Sequence, residues 1–275
     1  MSAIALQILG PLRLARADGR RHGIAGERVR DLVGFLALHH GRPQPRERLA
    51  ETLWGDEGGD AAACLRQTLW RARTALATVD APGLLRVEVE TIRLDAGDGA
   101  DADWLDLAAF ERLTASCART PGFAVSAEEH RRLEAAAALY QGDLLDGCYR
   151  DWCAADRQRL HDAHLRLLDQ LVGHAEAHGD HAAGLDWAGR ILAVEPAREP
   201  THRAVMRLHL LHGDRTAALR QFDVCAAALA RAYGLAPSPR TTALAALARH
   251  GDGPLDAGGA DGHGAAPTTP DRHAA

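Results

Sequence analysis

The order of hydrophobic periods in residues 4–94 constrains the fold of this chain more than any other feature of its sequence. Residues 4–14 alternate loosely around a Gly-Pro pair, which predicts two short strands joined by a turn. Between residues 26 and 78, apolar side chains recur at helical spacing in three successive runs. Strict alternation returns in residues 85–94 and predicts a β-hairpin with its turn near Glu90-Thr91.

Strands, three helices and a hairpin in this order are the pattern of a winged helix-turn-helix, in which the third helix enters the major groove of DNA. Asp60 is placed to cap the third helix, which should run to about Thr78. The sheet that precedes the helices narrows the prediction to the kind of winged helix-turn-helix found in response-regulator output domains (OmpR/PhoB-like). We assign this DNA-binding domain to residues 1–98.

The remainder of the chain has helical patterns throughout. Gly179-Asp180 and Gly213-Asp214 lie 34 residues apart, which is the tetratricopeptide period. In each copy we expect the glycine to end one helix and the aspartate to cap the next. The predicted fold is therefore mainly α with small β elements, a winged helix-turn-helix followed by an all-α tetratricopeptide-like helical repeat domain at residues 101–250. Residues 251–275 are rich in glycine and proline, which predicts a disordered tail.

Charge and composition limit the classes of protein to consider. All 32 basic residues are arginine, and the formal net charge is −5. Any contact with nucleic acid must therefore come from a local positive patch. The five cysteines form no Cys-x-x-Cys pair, which predicts reduced thiols. We find no signal-peptide pattern and no window apolar enough to span a membrane, so we expect a soluble cytoplasmic protein without membrane contact.

The third predicted helix contains the segment CLRQTLWRARTAL, residues 64–76, which has three arginines and no acid. Its period puts one apolar stripe inward and a polar face outward. The predicted inward stripe consists of Leu65, Leu69, Ala72 and Leu76. The predicted outward face consists of Gln67, Trp70, Arg71 and Thr74, with Arg66 and Arg73 at its flanks.

This outward face has chemistry suited to a DNA groove. An arginine can bind guanine through two hydrogen bonds, and a glutamine can pair with adenine. The flanking Arg66 and Arg73 are better placed for phosphate than for bases. An ordinary surface helix with solvated arginines is the alternative, and the surrounding helices and hairpin disfavour it. The exposed Trp70 has three possible partners: the DNA backbone, a neighbouring protomer and RNA polymerase.

The predicted wing is less suited to DNA than the helix. Glu88 and Glu90 offset Arg86 and Arg93 along the hairpin, whereas a wing that touches phosphate normally presents unopposed basic side chains. The apolar alternation of its first strand continues to Val89. Direct contact between the wing and DNA is therefore in doubt.

Other candidate sites are weaker. The segment HAEAH, residues 174–178, lacks the glutamate that must follow the first histidine in a zinc protease. Isolated histidine pairs on alanine-rich helices are usually solvated. We predict no metal, no cofactor and no enzymatic activity. The candidates for a surface that binds a partner or a small effector are Arg150, Asp151, Arg157 and Arg159, with a plain solvated face as the alternative.

Three stretches of the helical region resemble the bacterial transcriptional activator domain. They are LYQGDLLDGCYRDWCAADRQRL (139–160), RILAVEPAREPTHRAVMRLHLLHGDRTAALRQFD (190–223) and YGLAPSPRT (233–241). Together with the winged helix, they make the chain similar to the antibiotic regulatory protein (SARP-type) activators over about residues 4–250. The pairing of the two parts in this order is more specific than either part alone.

This resemblance implies a transcriptional activator that binds direct repeats in promoter double-stranded DNA and helps to recruit RNA polymerase. It further implies a secondary-metabolite gene cluster as the target and a homodimer that forms before or on DNA. Base reading carries over to Arg66, Gln67 and Arg71. The full predicted DNA-binding set is Arg66, Gln67, Thr68, Trp70, Arg71, Arg73 and Thr74. The alternative is a tetratricopeptide-like interaction module whose winged helix has lost DNA binding, and the weak wing charge motivates it.

Overall fold

A computed structural model describes most of the chain, and its backbone contacts divide it into two compact units. The first unit comprises residues 1–120 and 125–171, and the second comprises residues 121–124 and 172–275. The predicted tail beyond residue 251 lies outside the described part. The described residues are 4–16, 20–55, 58–79, 81–95, 104–117 and 119–251.

The first unit begins with a small antiparallel sheet and the three predicted helices. The sheet has the order β1-β2-β3, and Leu6 pairs with Leu14 across its first two strands. A second small sheet, of order β4-β6-β5, includes the hairpin. The elements are β1 (Ile4–Gln7), β2 (Arg13–Arg16), β3 (Arg21–Gly23), α1 (Glu27–Leu38), β4 (Gln44–Pro45), α2 (Arg46–Trp54), α3 (Ala61–Thr78), β5 (Leu85–Val87) and β6 (Thr91–Leu94).

Three details of these sheets differ from the sequence prediction, the first being the unpredicted two-residue strand β4, which pairs with β6. Strand β3 was not predicted, because Arg21, His22 and Gly23 carry no apolar alternation; they become a strand by pairing with the free edge of β2. Strand β5 ends at Val87, and Val89 is not part of the ladder. It lies in the turn of the hairpin with 91% of its surface exposed.

The core of this region joins α1, α3 and the hairpin. Leu32 and Leu36 on α1 are buried, as are Leu76 on α3 and Ile92 on β6. Trp54, at the end of α2, is also buried. Burying large apolar side chains in this way removes their surface from water, which is the main force that holds such small elements together.

Further helices complete the first unit, and a buried carboxylate ties them to the residues that directly follow β1. Both oxygens of Asp106 accept hydrogen bonds from the N–H of Ile8, at 3.0 and 2.9 Å, and one accepts from Leu9 at 2.9 Å. Burial raises the pKa of Asp106 to about 6. The predicted domain boundary near residue 100 falls in residues 96–103, outside the described part. The elements are α4 (Asp106–Ala115), α5 (Ala127–Leu139) and α6 (Ala154–His178).

The second unit contains the end of α6 and four more helices, each of which packs on the next along the chain. Gly179 and Gly213 adopt left-handed conformations, with φ of 71° and 81°. The carboxylates of Asp180 and Asp214 accept hydrogen bonds from the N–H groups of Ala183 and Ala217. The predicted helix ends and caps of the repeated segment are confirmed. The helices are α7 (His181–Val194), α8 (Glu199–Leu211), α9 (Arg215–Tyr233) and α10 (Pro239–His250).

The predicted fold class, mainly helical with small N-terminal sheets and a winged helix before a helical region, is confirmed. The likeness of the helical region to tetratricopeptide repeats stays a prediction. Within the described ranges, none of the helices has the length and apolar character needed to cross a bilayer. Over the same residues, no three His, Cys, Asp or Glu side chains converge as metal ligands.

Candidate nucleic-acid interface

Helix α3 is held in place from one side only. The Asp60 carboxylate caps its first turn by accepting a hydrogen bond from the N–H of Ala63 at 2.9 Å. The predicted inward stripe, from Leu65 to Leu76, is buried. The helix packs against α1 and α2, and the Arg28 guanidinium on α1 donates to the sulfur of Cys64 at 3.4 Å. The opposite face of α3 is left to solvent.

Six of the seven predicted site residues are exposed on that face, and one is not. Thr68 is only 3% exposed, so its place in the predicted set is a correction. It lies three residues after Leu65, on the side of the helix that packs inward, and a ligand cannot reach it. The exposed residues are Arg66, Gln67, Trp70, Arg71, Arg73 and Thr74.

The arginines of α3 differ in how they are engaged. Arg66 forms an ion pair with the capping carboxylate of Asp60, with Nη2 and Oδ2 separated by 3.6 Å. Both side chains are about two-thirds exposed, so the pair contributes little stability and can open to a phosphate. Within the part of the chain that the structure describes, Arg71 and Arg73 form no ion pair. Their full charge is therefore presented to solvent.

Trp70 stands at the edge of a cleft beside α3. The cleft has a volume of about 580 Å³ and is lined by Trp70, Arg71 and Thr74 on one side and by Ile24 and Val29 on the other. The indole side chain is 68% exposed. The hydroxyl of Thr74 donates to the carbonyl of Trp70 at 3.0 Å, so this hydroxyl proton is used within the helix.

The arginines of the wing form ion pairs within the hairpin itself. Arg93 pairs with Asp95 at 3.3 Å and approaches Glu88 at 4.0 Å. Arg86 reaches Asp95 at 4.0 Å. The tip of the wing therefore presents the apolar Val89 rather than free positive charge, and the positive surface of this region lies on α3.

The family of the chain follows from its helical region. A sequence profile described as "Bacterial transcriptional activator domain" matches residues 105–247, which is more than half of the chain. The chain belongs to the bacterial transcriptional activator domain family. Members of this family are transcriptional regulators.

Two known proteins are similar to this activator. "Regulatory protein AfsR" of Streptomyces coelicolor is 28% identical over 241 residues, and the match covers 86% of this chain. The chain spans only 23% of the length of that relative. The solved structure "Mycobacterium tuberculosis EmbR in complex with low affinity phosphopeptide" has a TM-score of 0.68 and 21% identity, and the match covers 94% of this chain and 67% of that one. The predicted resemblance to SARP-type transcriptional activators is confirmed.

Within the activator domain, the arginines suggested as a partner surface have internal roles. Arg150 pairs with Asp31 at 3.1 Å. The Arg157 guanidinium donates to the carbonyl of Leu144 at 3.0 Å, and Arg159 pairs with Glu111 at 3.0 Å. These side chains tie the activator domain's first segments to their neighbours, so a role in partner binding is not favoured.

The sequence analysis missed basic residues of the activator that lie outside α3. Arg42 and Arg48, before and within α2, are exposed. Arg46 donates to the carbonyl of Glu88 at 3.2 Å and so ties the start of α2 to the wing. In helix-turn-helix proteins the helix before the recognition helix crosses the DNA backbone. That rule predicts a phosphate contact for Arg48, which the periodicity of the third helix alone does not.

Proposed function

We propose that this protein is a sequence-specific DNA-binding transcriptional activator that inserts α3 into the major groove. The observation that carries the proposal is the face of α3 itself. It is exposed, contains no acid between residues 61 and 79, and presents the side chains of Gln67 and Arg71 beside each other at i and i+4. Membership of a family of transcriptional regulators supports it.

Gln67 and Arg71 have the donors and acceptors that read base edges. The glutamine amide can pair with adenine N6 and N7, and the guanidinium can bind guanine O6 and N7. Because the two residues are one helical turn apart, they would read bases close together in one half-site. Arg66 and Arg73, at the flanks, would contact phosphates and fix the orientation of the helix.

The remaining surface indicates modest affinity for each protomer. Exposed Arg48 on α2 would contact the DNA backbone, whereas the wing arginines Arg86 and Arg93 already form ion pairs within the hairpin. The net charge of −5 adds no overall attraction to DNA. Binding of a homodimer to direct repeats would compensate, because the second half-site binds at high effective concentration. The helical region would then support dimerisation and contact RNA polymerase at the promoter of a secondary-metabolite gene cluster.

Selection from a random double-stranded DNA pool, followed by anisotropy titrations with the selected sequence, tests this proposal. We expect an enriched direct repeat and a binding constant that falls steeply with salt. Arg71→Ala should weaken binding to the selected sequence by about 1–3 kcal/mol. Arg131→Ala, which removes another exposed arginine, from α5, should leave it unchanged. Equal effects of the two variants would contradict the assignment of α3.

The second candidate function is an interaction module that no longer binds DNA. The ion pairs that Arg93 forms with acids of the wing itself are the observation that favours it. The same titration separates the two candidates. If no sequence is enriched and no binding occurs at low salt, the interaction module is the better description and the DNA-binding proposal fails.

A further inference from the structure

We infer that Cys148 and Cys153 are an oxidisable dithiol that closes to an intramolecular disulfide when the protein meets a hydroperoxide. Both cysteines are free, and their sulfur atoms lie 3.9 Å apart. Both belong to the first unit and precede α6, Cys153 as the last residue of a 3-10 turn at residues 151–153. An S–S bond is about 2.05 Å long, so closure requires the two side chains to rotate toward each other from this contact.

The two sulfurs have different surroundings, which suit them to different steps. Cys148 is partly exposed and lines a small cavity of about 100 Å³ together with Arg30 and Arg150. A molecule as small as hydrogen peroxide can reach its sulfur there. Cys153 is buried, and the Arg157 guanidinium donates to its sulfur at 3.3 Å. A neighbouring guanidinium stabilises negative charge that develops on sulfur.

The surroundings of Cys148 also keep the pair reduced at rest. Burial raises the pKa of the Cys148 thiol to about 11, so at neutral pH the thiol is protonated and reacts slowly. Its S–H donates to the carboxylate of Asp31 at 3.6 Å. Because the thiolate is the nucleophile, oxidation should become faster as the pH rises toward that value.

The reaction balances with hydrogen peroxide as the only co-reactant. The Cys148 sulfur attacks one peroxide oxygen, the O–O bond breaks, and a sulfenic acid and one water form. The Cys153 sulfur then attacks the sulfenic sulfur, the S–S bond forms, and the hydroxyl takes up the proton that the Cys153 thiol gives up and leaves as the second water. Two thiols lose two electrons and two protons in total, and the peroxide gains them.

No other cysteine of the chain is arranged in this way. The structure describes all five, and among them only Cys148 and Cys153 have sulfurs in contact. Cys64 instead accepts a hydrogen bond from Arg28. After oxidation the buried carboxylate of Asp31 would lose the thiol donor but keep Arg150, whose Nε lies 3.1 Å away. The disulfide is therefore compatible with the fold of the first unit.

Trypsin gives a direct test, because it cleaves after Arg150, between the two cysteines. The full chain is treated with excess hydrogen peroxide at mildly alkaline pH, unfolded with the remaining thiols alkylated, digested and analysed by mass spectrometry. We expect the peptides 133–150 and 151–157 to be joined by a disulfide, and titratable thiols to fall from five to three per chain. A non-reducing gel should show a monomer.

Two variants complete the test. Cys148→Ser should abolish the cross-linked peptide, whereas Cys64→Ser should leave its yield unchanged. The inference is overturned if the two peptides remain separate, if the five thiols are lost without preference, or if the disulfide joins two chains. None of these readouts depends on DNA, so this inference and the proposed function can fail independently.

Discussion

Arg207 and Glu176 form a bidentate ion pair within the second unit. Nε of Arg207 lies 2.6 Å from Oε1 of Glu176, and Nη2 lies 3.0 Å from Oε2. The pair joins α8 to the last turns of α6, and both side chains are largely withdrawn from solvent. Parallel N–H···O bonds of this kind are the strongest polar contacts that two side chains make.

A double-mutant cycle on this pair should give a measurable coupling energy. From Arg207→Ala, Glu176→Ala and the double variant, we expect about 1–3 kcal/mol in the free energy of unfolding by urea. The exposed pair of Arg131 and Glu128 on α5 is the matched control and should give less than about 1 kcal/mol. Equal coupling at the two sites would mean that partial burial adds nothing to the first pair.

The buried carboxylate of Asp106 should make the stability of the first unit depend on pH. Its pKa rises from 3.8 to about 6 on folding, since burial disfavours the charge. The folded state therefore holds the proton more tightly, and the free energy of unfolding should fall by about 3 kcal/mol as the pH rises from about 4 to about 6. Above that range this contribution is constant.

Comparison with Asp106→Asn isolates this contribution from those of other carboxylates. Urea unfolding at a series of pH values should show the fall in the native protein and not in the variant. The absolute stabilities are not comparable, because an asparagine cannot accept from every N–H that the carboxylate binds. Parallel pH profiles for the two proteins would show that Asp106 keeps an ordinary pKa.

Arg73 and Gln67 should affect DNA binding in different ways if α3 enters the groove. Arg73→Ala should weaken binding to all sequences alike and lower the slope of log K against log salt by about one. Gln67→Ala should leave that slope unchanged and reduce discrimination at one base pair by about 1–3 kcal/mol. Anisotropy titrations at several salt concentrations, with selected and single-substituted sequences, measure both. If both variants lose affinity uniformly, Gln67 does not read a base.

Trp70 provides an optical signal for the same interface. The chain has five tryptophans, and Trp70 is the one that is largely exposed. Acrylamide, which is uncharged, should quench its fluorescence readily in the free protein and much less in the DNA complex. Trp70→Phe should remove the readily quenched component. If DNA leaves the quenching unchanged while binding is observed, Trp70 faces a protein partner instead.

The sequence was most informative where helical periodicity decides the outcome. The buried stripe of α3 and the caps at Asp60, Asp180 and Asp214 depend on residues a few positions apart, so a short window contains the information. Thr68 was misassigned because its polar character outweighed its position beside Leu65. For a residue so close to an apolar stripe, position is the better guide.

Local sequence patterns do not predict contacts between residues that are far apart along the chain. The carboxylate of Asp106 binds a backbone N–H that lies 98 residues earlier. Arg93 on the wing pairs with Asp95 and approaches Glu88 through contacts that depend on the hairpin's geometry. Strand β3 exists only because β2 offers an edge. In each case the determining partner is set by the tertiary fold and not by the local sequence.

The hydrogen bonds between Asp106 and the residues just after β1 also determine how this protein can be divided. A fragment that ended at the wing would keep every residue of the proposed DNA-reading face. It would, however, leave the N–H groups of Ile8 and Leu9 without their acceptor and uncover apolar surface where β1 meets Leu105. The winged helix is thus not an independent module that can be excised at the end of the wing. A transplant that gives this DNA specificity to another regulator has to include the start of α4.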